Sequence, residues 1–209
     1  PYIATHVWPA QAAVHAGMTN VVNAIPDNWP MALHLAEGAR HTVQTQSAWL
    51  GYKALRGMAK DPLRPMPDGT LFYTGHYVDH ELVSNLEEDC EARLCRRRAG
   101  KPIRYLMTVG GAGAGKDLFL GMIRELLPAI ESGRAALLIN FGDHRGVYDE
   151  LRAAEPGFAA MAKEHFDEFR ETAAFAENAR TREVTGIHAF CDADIFAAVY
   201  STNLLMRCS

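Results

Sequence analysis

Apolar residues recur along this chain in two rhythms that take turns. Short runs rich in β-branched and aliphatic residues, at 2–5, 20–24, 42–44, 70–74, 104–109, 135–139 and 184–190, predict strands. Longer stretches at 9–16, 31–38, 47–57, 78–98, 117–131, 144–154, 161–180 and 192–201 carry apolar residues at helical spacing. After Gly115, for example, Phe119, Met122, Ile123, Leu126 and Ile130 line one face of an expected helix. The Ala/Glu-rich stretch 153–180 reads as an exposed helix. Strands separated by helices build parallel βαβ units, so the expected class is α/β.

The polar segment 87–101, with Arg96, Arg97, Arg98 and Gly100 ahead of Pro102, interrupts this alternation. A fresh strand and a Gly-rich turn follow it, which is how a nucleotide-binding unit opens. The chain is therefore expected to divide near residue 100, into 1–99 and 100–209.

Composition narrows the function classes. Of the 209 residues 48% are apolar and 22% charged, a balance that folds rather than stays disordered. The formal net charge of −4 argues against nucleic acid as the main ligand, because a phosphate-tracking surface needs a basic excess. Four scattered cysteines make neither a disulfide framework nor a zinc spacing, so no metal is expected. No apolar run approaches the roughly 20 residues of a membrane span, and a cytoplasmic location is the expectation.

The densest chemical signal is Gly110-Gly111-Ala112-Gly113-Ala114-Gly115-Lys116-Asp117, between an expected strand and an expected helix. Without bulky side chains, backbone N–H groups can approach phosphate oxygens, and the helix N-terminus adds partial positive charge. A tight turn with no ligand is the plain alternative. As a P-loop, Gly110, Gly115 and Lys116 stand at the GxxxxGK positions, but Asp117 replaces the hydroxyl residue that would hold Mg²⁺. As a dinucleotide fingerprint the run lacks the third glycine at its place, and no acidic residue ends the next strand.

A wider set of motifs resembles the interdomain region of GT-B glycosyltransferases. Thr74-Gly75-His76-Tyr77-Val78, the Gly110–Ala114 loop, a helix ending near Leu126-Leu127-Pro128, Gly142-Asp143-His144 and Ile187-His188-Ala189-Phe190 carry the likeness. It is similar to the group that contains monogalactosyldiacylglycerol synthase and the enzyme adding N-acetylglucosamine to a lipid-linked muramyl precursor. That group has proline where Tyr77 stands, and Ala112 replaces the loop's usual Ser or Gly. The resemblance implies two Rossmann-like parallel-sheet domains, the first on the acceptor side and the second binding the nucleotide sugar. Both are expected to be incomplete, the chain being the central part of a longer protein.

The implied activity is transfer of a hexosyl group from a nucleotide-diphosphate donor, UDP-linked in this group, to an acceptor hydroxyl. The donor is a substrate, and no separate cofactor is implied. Gly110, Gly111, Ala112, Gly113, Ala114, Gly115 and Lys116 would hold the diphosphate, and Phe190 and Cys191 would flank the base. His6, Asp27 and His76 are the candidates for the general base, with His34 and Asp79 behind them, since strand-end loops carry the sites of α/β proteins. The segment Pro26–Leu35 mixes Trp29 and aliphatic residues with polar ones and suits a lipid-linked acceptor at the inner membrane face; a buried loop anchored by Trp29 is the plainer reading. A P-loop-type hydrolase and a non-catalytic sugar-nucleotide-binding relative are the alternatives.

Overall fold

The computed structural model describes residues 1–54 and 66–209, which form two compact units, Pro1–Val78 and Asp79–Ser209. Each is α/β with a four-stranded, all-parallel sheet.

In the first unit, β1 (Tyr2–Ala4), β2 (Val21–Ala24), β3 (Arg40–Val43) and β4 (Leu71–Tyr73) lie in chain order across the sheet. Helix α1 (Val7–His15) packs on β1 and β2 through Ala4, Ala10, Ala13, Val21, Ala36 and Ala39, whose small side chains let helix and sheet approach closely. Helix α2 (Gln46–Ala54) covers β3 and β4 through Val43, Ala48, Tyr52 and Leu71. The last three residues of the helix expected at 47–57 lie outside the described residues. The helix expected at 31–38 is only a 3₁₀ turn, Ala32–His34. Asn23 takes the His34 carbonyl at 2.8 Å, and Gly38 turns the chain at φ +92°, so the α-helical ladder has nothing to continue on.

The second unit opens with α3 (His80–Ser84) and α4 (Leu86–Arg98). There follow β5 (Ile103–Thr108), α5 (Lys116–Glu131), β6 (Ala135–Asn140), α6 (Arg145–Ala154), α7 (Pro156–Met161), β7 (Ala162–Phe166), α8 (Phe169–Thr181), β8 (Gly186–Cys191) and α9 (Ile195–Cys208). The sheet order is β5-β6-β8-β7. Every residue of β6 is buried, as expected of a parallel strand covered on both faces. Leu137, Ile139, Ile187 and Ala189 face α5, α6 and α7; Ala136, Leu138 and Phe190 face α8 and α9.

Two expectations change here. The division falls between Val78 and Asp79, not near residue 100, because the polar segment is helix α4 and is bound into the second unit. Asp89, 3% exposed, accepts from Arg207 Nε at 3.2 Å, and Arg93 and Arg96 donate to the Ser209 carbonyl at 2.9 and 2.8 Å. The basic run is thus partly spent on internal bonds. The single helix expected over 161–180 is instead a strand, β7, and a helix, α8, joined through Asp167 at φ +59°. Pairing of Ala162 to Phe166 with Ile187 to Cys191 overrides the helix propensity of an Ala/Lys/Glu segment.

Candidate functional site

Because the four strands of the second sheet are parallel, the loops after β5, β6, β7 and β8 meet at one end, the usual position of α/β sites. The loop after β5 is the glycine run. Gly113 N–H closes a turn on the Gly110 carbonyl at 2.8 Å, and Gly115, the N-cap of α5 at φ +95°, offers no side chain to cap it. The N–H groups of Gly111, Ala112, Ala114, Gly115, Lys116 and Asp117 find no acceptor among the described residues. Six successive or near-successive free donors leading into a helix N-terminus make an exposed, electropositive rim.

The loop is braced from below. His144, at the N-terminus of α6, places Nε2 3.2 Å from the Gly111 carbonyl, and its ring lies under Gly113, where a Cβ would stand 3.0 Å from Nδ1. Gly113 is also at φ +65°, so close approach and backbone conformation both favour glycine. Lys116 points away to Glu150 on α6, at 2.6 Å; that carboxylate bonded to its ammonium raises the Lys116 pKa. Its charge is therefore compensated within the protein.

Beside the loop, Asn140 at the end of β6 accepts from Gly142 N–H at 3.0 Å and donates to Thr202 at 2.6 Å. Asp192, 2% exposed after β8, accepts from Ser201 Oγ at 2.6 Å through Oδ2, while Oδ1 is buried without a partner among the described residues. Asp194 caps α9, accepting from Phe196 N–H at 2.9 Å, so that helix end is already satisfied. Among the described residues no three His, Cys, Asp or Glu side chains converge as a metal site. Sequence reading missed Asn140, Asp192 and the bracing role of His144; an Asn or Asp closing each apolar strand was the available signal.

Phe190 and Cys191 do not belong to an open surface. Phe190 is fully buried and stacked on His165 at 4.6 Å between centroids, and Cys191 is 3% exposed. Their carbonyls, the groups available to read a base edge, already accept from Phe141 N–H at 2.8 Å and Asp167 N–H at 2.7 Å.

In the first unit, His6, Asp27 and His76 follow β1, β2 and β4 and stand exposed at the same end of that sheet, with no hydrogen bond linking them. His6 Nδ1 caps α1 by accepting from Trp8 N–H at 3.3 Å, and Asp27 Oδ1 closes a turn on Trp29 N–H at 3.0 Å. Among the described residues His76 makes no hydrogen bond. Next to it, Tyr77 OH meets Thr42 and Thr74, and Tyr77 N–H donates to Gln44 at 3.1 Å, fixing this segment across β3 and β4. His34 bonds Tyr52 OH at 2.7 Å, and Asp79 caps α3 through Glu81 N–H at 3.0 Å, both local duties. Trp29 is 74% exposed and Leu33 48%, so the buried-loop reading of this segment does not hold.

A family described as "Domain of unknown function (DUF6938)" matches residues 66–209, and a second, "Domain of unknown function (DUF6937)", matches residues 1–54. The chain belongs to the DUF6938 family. No curated protein and no solved structure matches it. In this DUF6938 member the family match spans β4, the Tyr77 segment and the whole glycine-loop unit. Among the described residues no helix is long and apolar enough to cross a membrane.

Proposed function

We propose that this chain carries the donor-diphosphate site of a GT-B-type glycosyltransferase, the glycine loop holding the phosphates of a UDP-sugar. The observation that carries this reading is the row of N–H groups from Gly111 to Asp117, all but that of Gly113 without an acceptor among the described residues, opening on α5 at the C-terminal end of a parallel sheet. In the transfer, the bond between the sugar C1 and the diphosphate oxygen breaks and one to the acceptor oxygen forms. Charge gathers on the leaving diphosphate, and backbone donors fixed in advance stabilise it with little reorganisation.

The acceptor hydroxyl must lose its proton to a base. His76 is the strongest of the three candidates, because among the described residues neither of its ring nitrogens is engaged, while His6 and Asp27 are used in capping. The exposed Trp29, Met31 and Leu33 suit an acceptor with an apolar portion, lipid-linked for instance. The hydrolase alternative is not favoured: Lys116 is turned to Glu150, and Asp117 is a carboxylate where Mg²⁺ coordination calls for a hydroxyl.

Thermal denaturation with nucleotides tests the proposal. UDP or a UDP-sugar in about hundredfold excess over Kd, without Mg²⁺, is expected to raise Tm by about 5 °C. Stabilisation by ATP or GTP that depends on Mg²⁺ would support a hydrolase, and no response to any nucleotide would make the loop structural. UDP release with a lipid-linked acceptor separates an enzyme from a binding relative.

A further inference from the structure

On the face of the second sheet covered by α8 and α9, a polar chain runs through four residues. His188 Nε2 lies 3.2 Å from the Thr185 carbonyl, His188 Nδ1 2.9 Å from His165 Nε2, and His165 Nδ1 2.8 Å from the Glu171 carboxylate. The two rings lie edge to edge, 24° from parallel with centroids 5.2 Å apart, and are packed against Phe175 and Phe190. Strands β7 and β8 supply the histidines and α8 supplies the glutamate.

Proton counting decides what this chain is. Both its ends, a carbonyl and a carboxylate, only accept, so three hydrogen bonds need three protons on four ring nitrogens. Two neutral imidazoles bring two. All three bonds exist only when the pair holds one additional proton, whose charge Glu171 balances. Of the two rings, His165 is the one beside the carboxylate. His188 is 6% exposed, and burial, the adjoining His165, Lys163 on β7 and Arg104 on β5 push its pKa down to about 4. The added proton therefore sits on His165, which donates from both nitrogens, and His188 is the neutral Nε2–H tautomer.

We propose that Thr185, His188, His165 and Glu171 form a proton-gated latch: one shared proton clamps β7 and α8 onto β8, and a second proton opens it. Once His188 is also charged, two N–H groups face each other across the same short gap and the bond becomes a repulsion. Strand β7 is the sheet's edge and among the described residues pairs only with β8. Its end carries Asp167, which bonds the Cys191 carbonyl and accepts from Arg145 at 3.2 Å, so opening loosens the strand-end loop after β7. The latch stands on the proton count and not on any ligand of the glycine loop.

Imidazole ¹⁵N NMR on the whole chain near neutral pH reads the proton positions directly. His165 is expected with both nitrogens protonated and His188 with Nε2 alone; two neutral rings would overturn the latch. Hydrogen exchange, corrected for intrinsic rates, is expected to accelerate across β7 and α8 by about tenfold per pH unit as the second proton binds, while β6 stays protected. His188→Gln, whose amide oxygen accepts from His165 and whose NH₂ donates to Thr185, is expected to remove that pH dependence. Unchanged acid sensitivity in this variant, or exchange in β7 that merely tracks β6, would also overturn it. Should His188→Gln not fold, Glu171→Gln serves instead: His165 is expected to lose its added proton near neutral pH, and retention of both ring protons would count against the proposal.

Discussion

The imidazole of His144 fills the space that Gly113 leaves empty: a Cβ on Gly113 would stand 3.0 Å from Nδ1. Glycine-loop conformation and the start of α6 are thereby locked to one another. Gly113→Ala is expected to lower stability by about 1–2 kcal/mol from the positive φ alone, with displacement of the His144 ring added. UDP affinity should fall by more than the stability loss explains, since the free N–H row is re-aimed. Calorimetric titration beside thermal denaturation checks this; a stable variant that binds UDP normally would remove the loop from the ligand site.

Lys116→Ala separates the two nucleotide readings. The Lys116–Glu150 pair is solvent-exposed on both sides, so stability should move by less than about 1 kcal/mol. In the diphosphate reading, nucleotide affinity changes by less than about tenfold, because the lysine charge is already answered by Glu150. A P-loop lysine would behave differently, with binding lost almost completely.

His76→Ala is expected to reduce UDP release with an acceptor by about 10²-fold or more while leaving Tm in place, the ring being exposed and without a hydrogen bond among the described residues. His6→Ala and Asp27→Ala should instead cost about 1 kcal/mol of stability each, through the lost cap and turn. Turnover that survives His76→Ala would move the general base elsewhere.

Asp89 is a buried carboxylate between Arg207 and Arg180, at 3.2 and 3.7 Å. Asp89→Ala leaves Arg207 without its carboxylate while Arg180 keeps Glu88 and Glu177, and a loss of about 3 kcal/mol in urea unfolding is expected. A neutral result would mean that α4 does not depend on this pair for its docking.

The first unit should weaken in acid through His41. Its Nε2 accepts the Ala36 N–H at 3.0 Å and its Nδ1 bonds the Thr70 carbonyl at 3.3 Å, so the ring must be neutral; burial lowers its pKa. A histidine held below its unfolded value adds stability above about pH 6.5, and that contribution is lost as pH falls from there toward the folded value. Amide exchange of β3 should therefore quicken below about pH 6.5, and quicken less in His41→Gln.

Much of the architecture was legible in the linear pattern. Alternation of aliphatic runs with helical spacing placed every strand of the first sheet and β5, β6 and β8 of the second within a few residues. The loop that makes the candidate site was legible for the same reason: glycine has no side chain, so its positions announce where backbone must turn or lie bare. Strand β7 was not, because Ala-Lys-Glu-His-Phe has good helical propensity and only pairing with β8 makes it extended. Nor was the fate of Lys116, whose motif position points to phosphate while Glu150, far along the chain, takes its ammonium.

The sequence by itself determined the class, the glycine loop and the strand-end positions of His6, Asp27 and His76, since periodicity and glycine placement are local properties of the backbone. Only the tertiary structure decided that α4 belongs to the second unit, that Phe190 and Cys191 are core, and that His165 and His188 share one polar chain. Those outcomes depend on desolvation and on donors and acceptors brought together from distant segments, which no local pattern encodes.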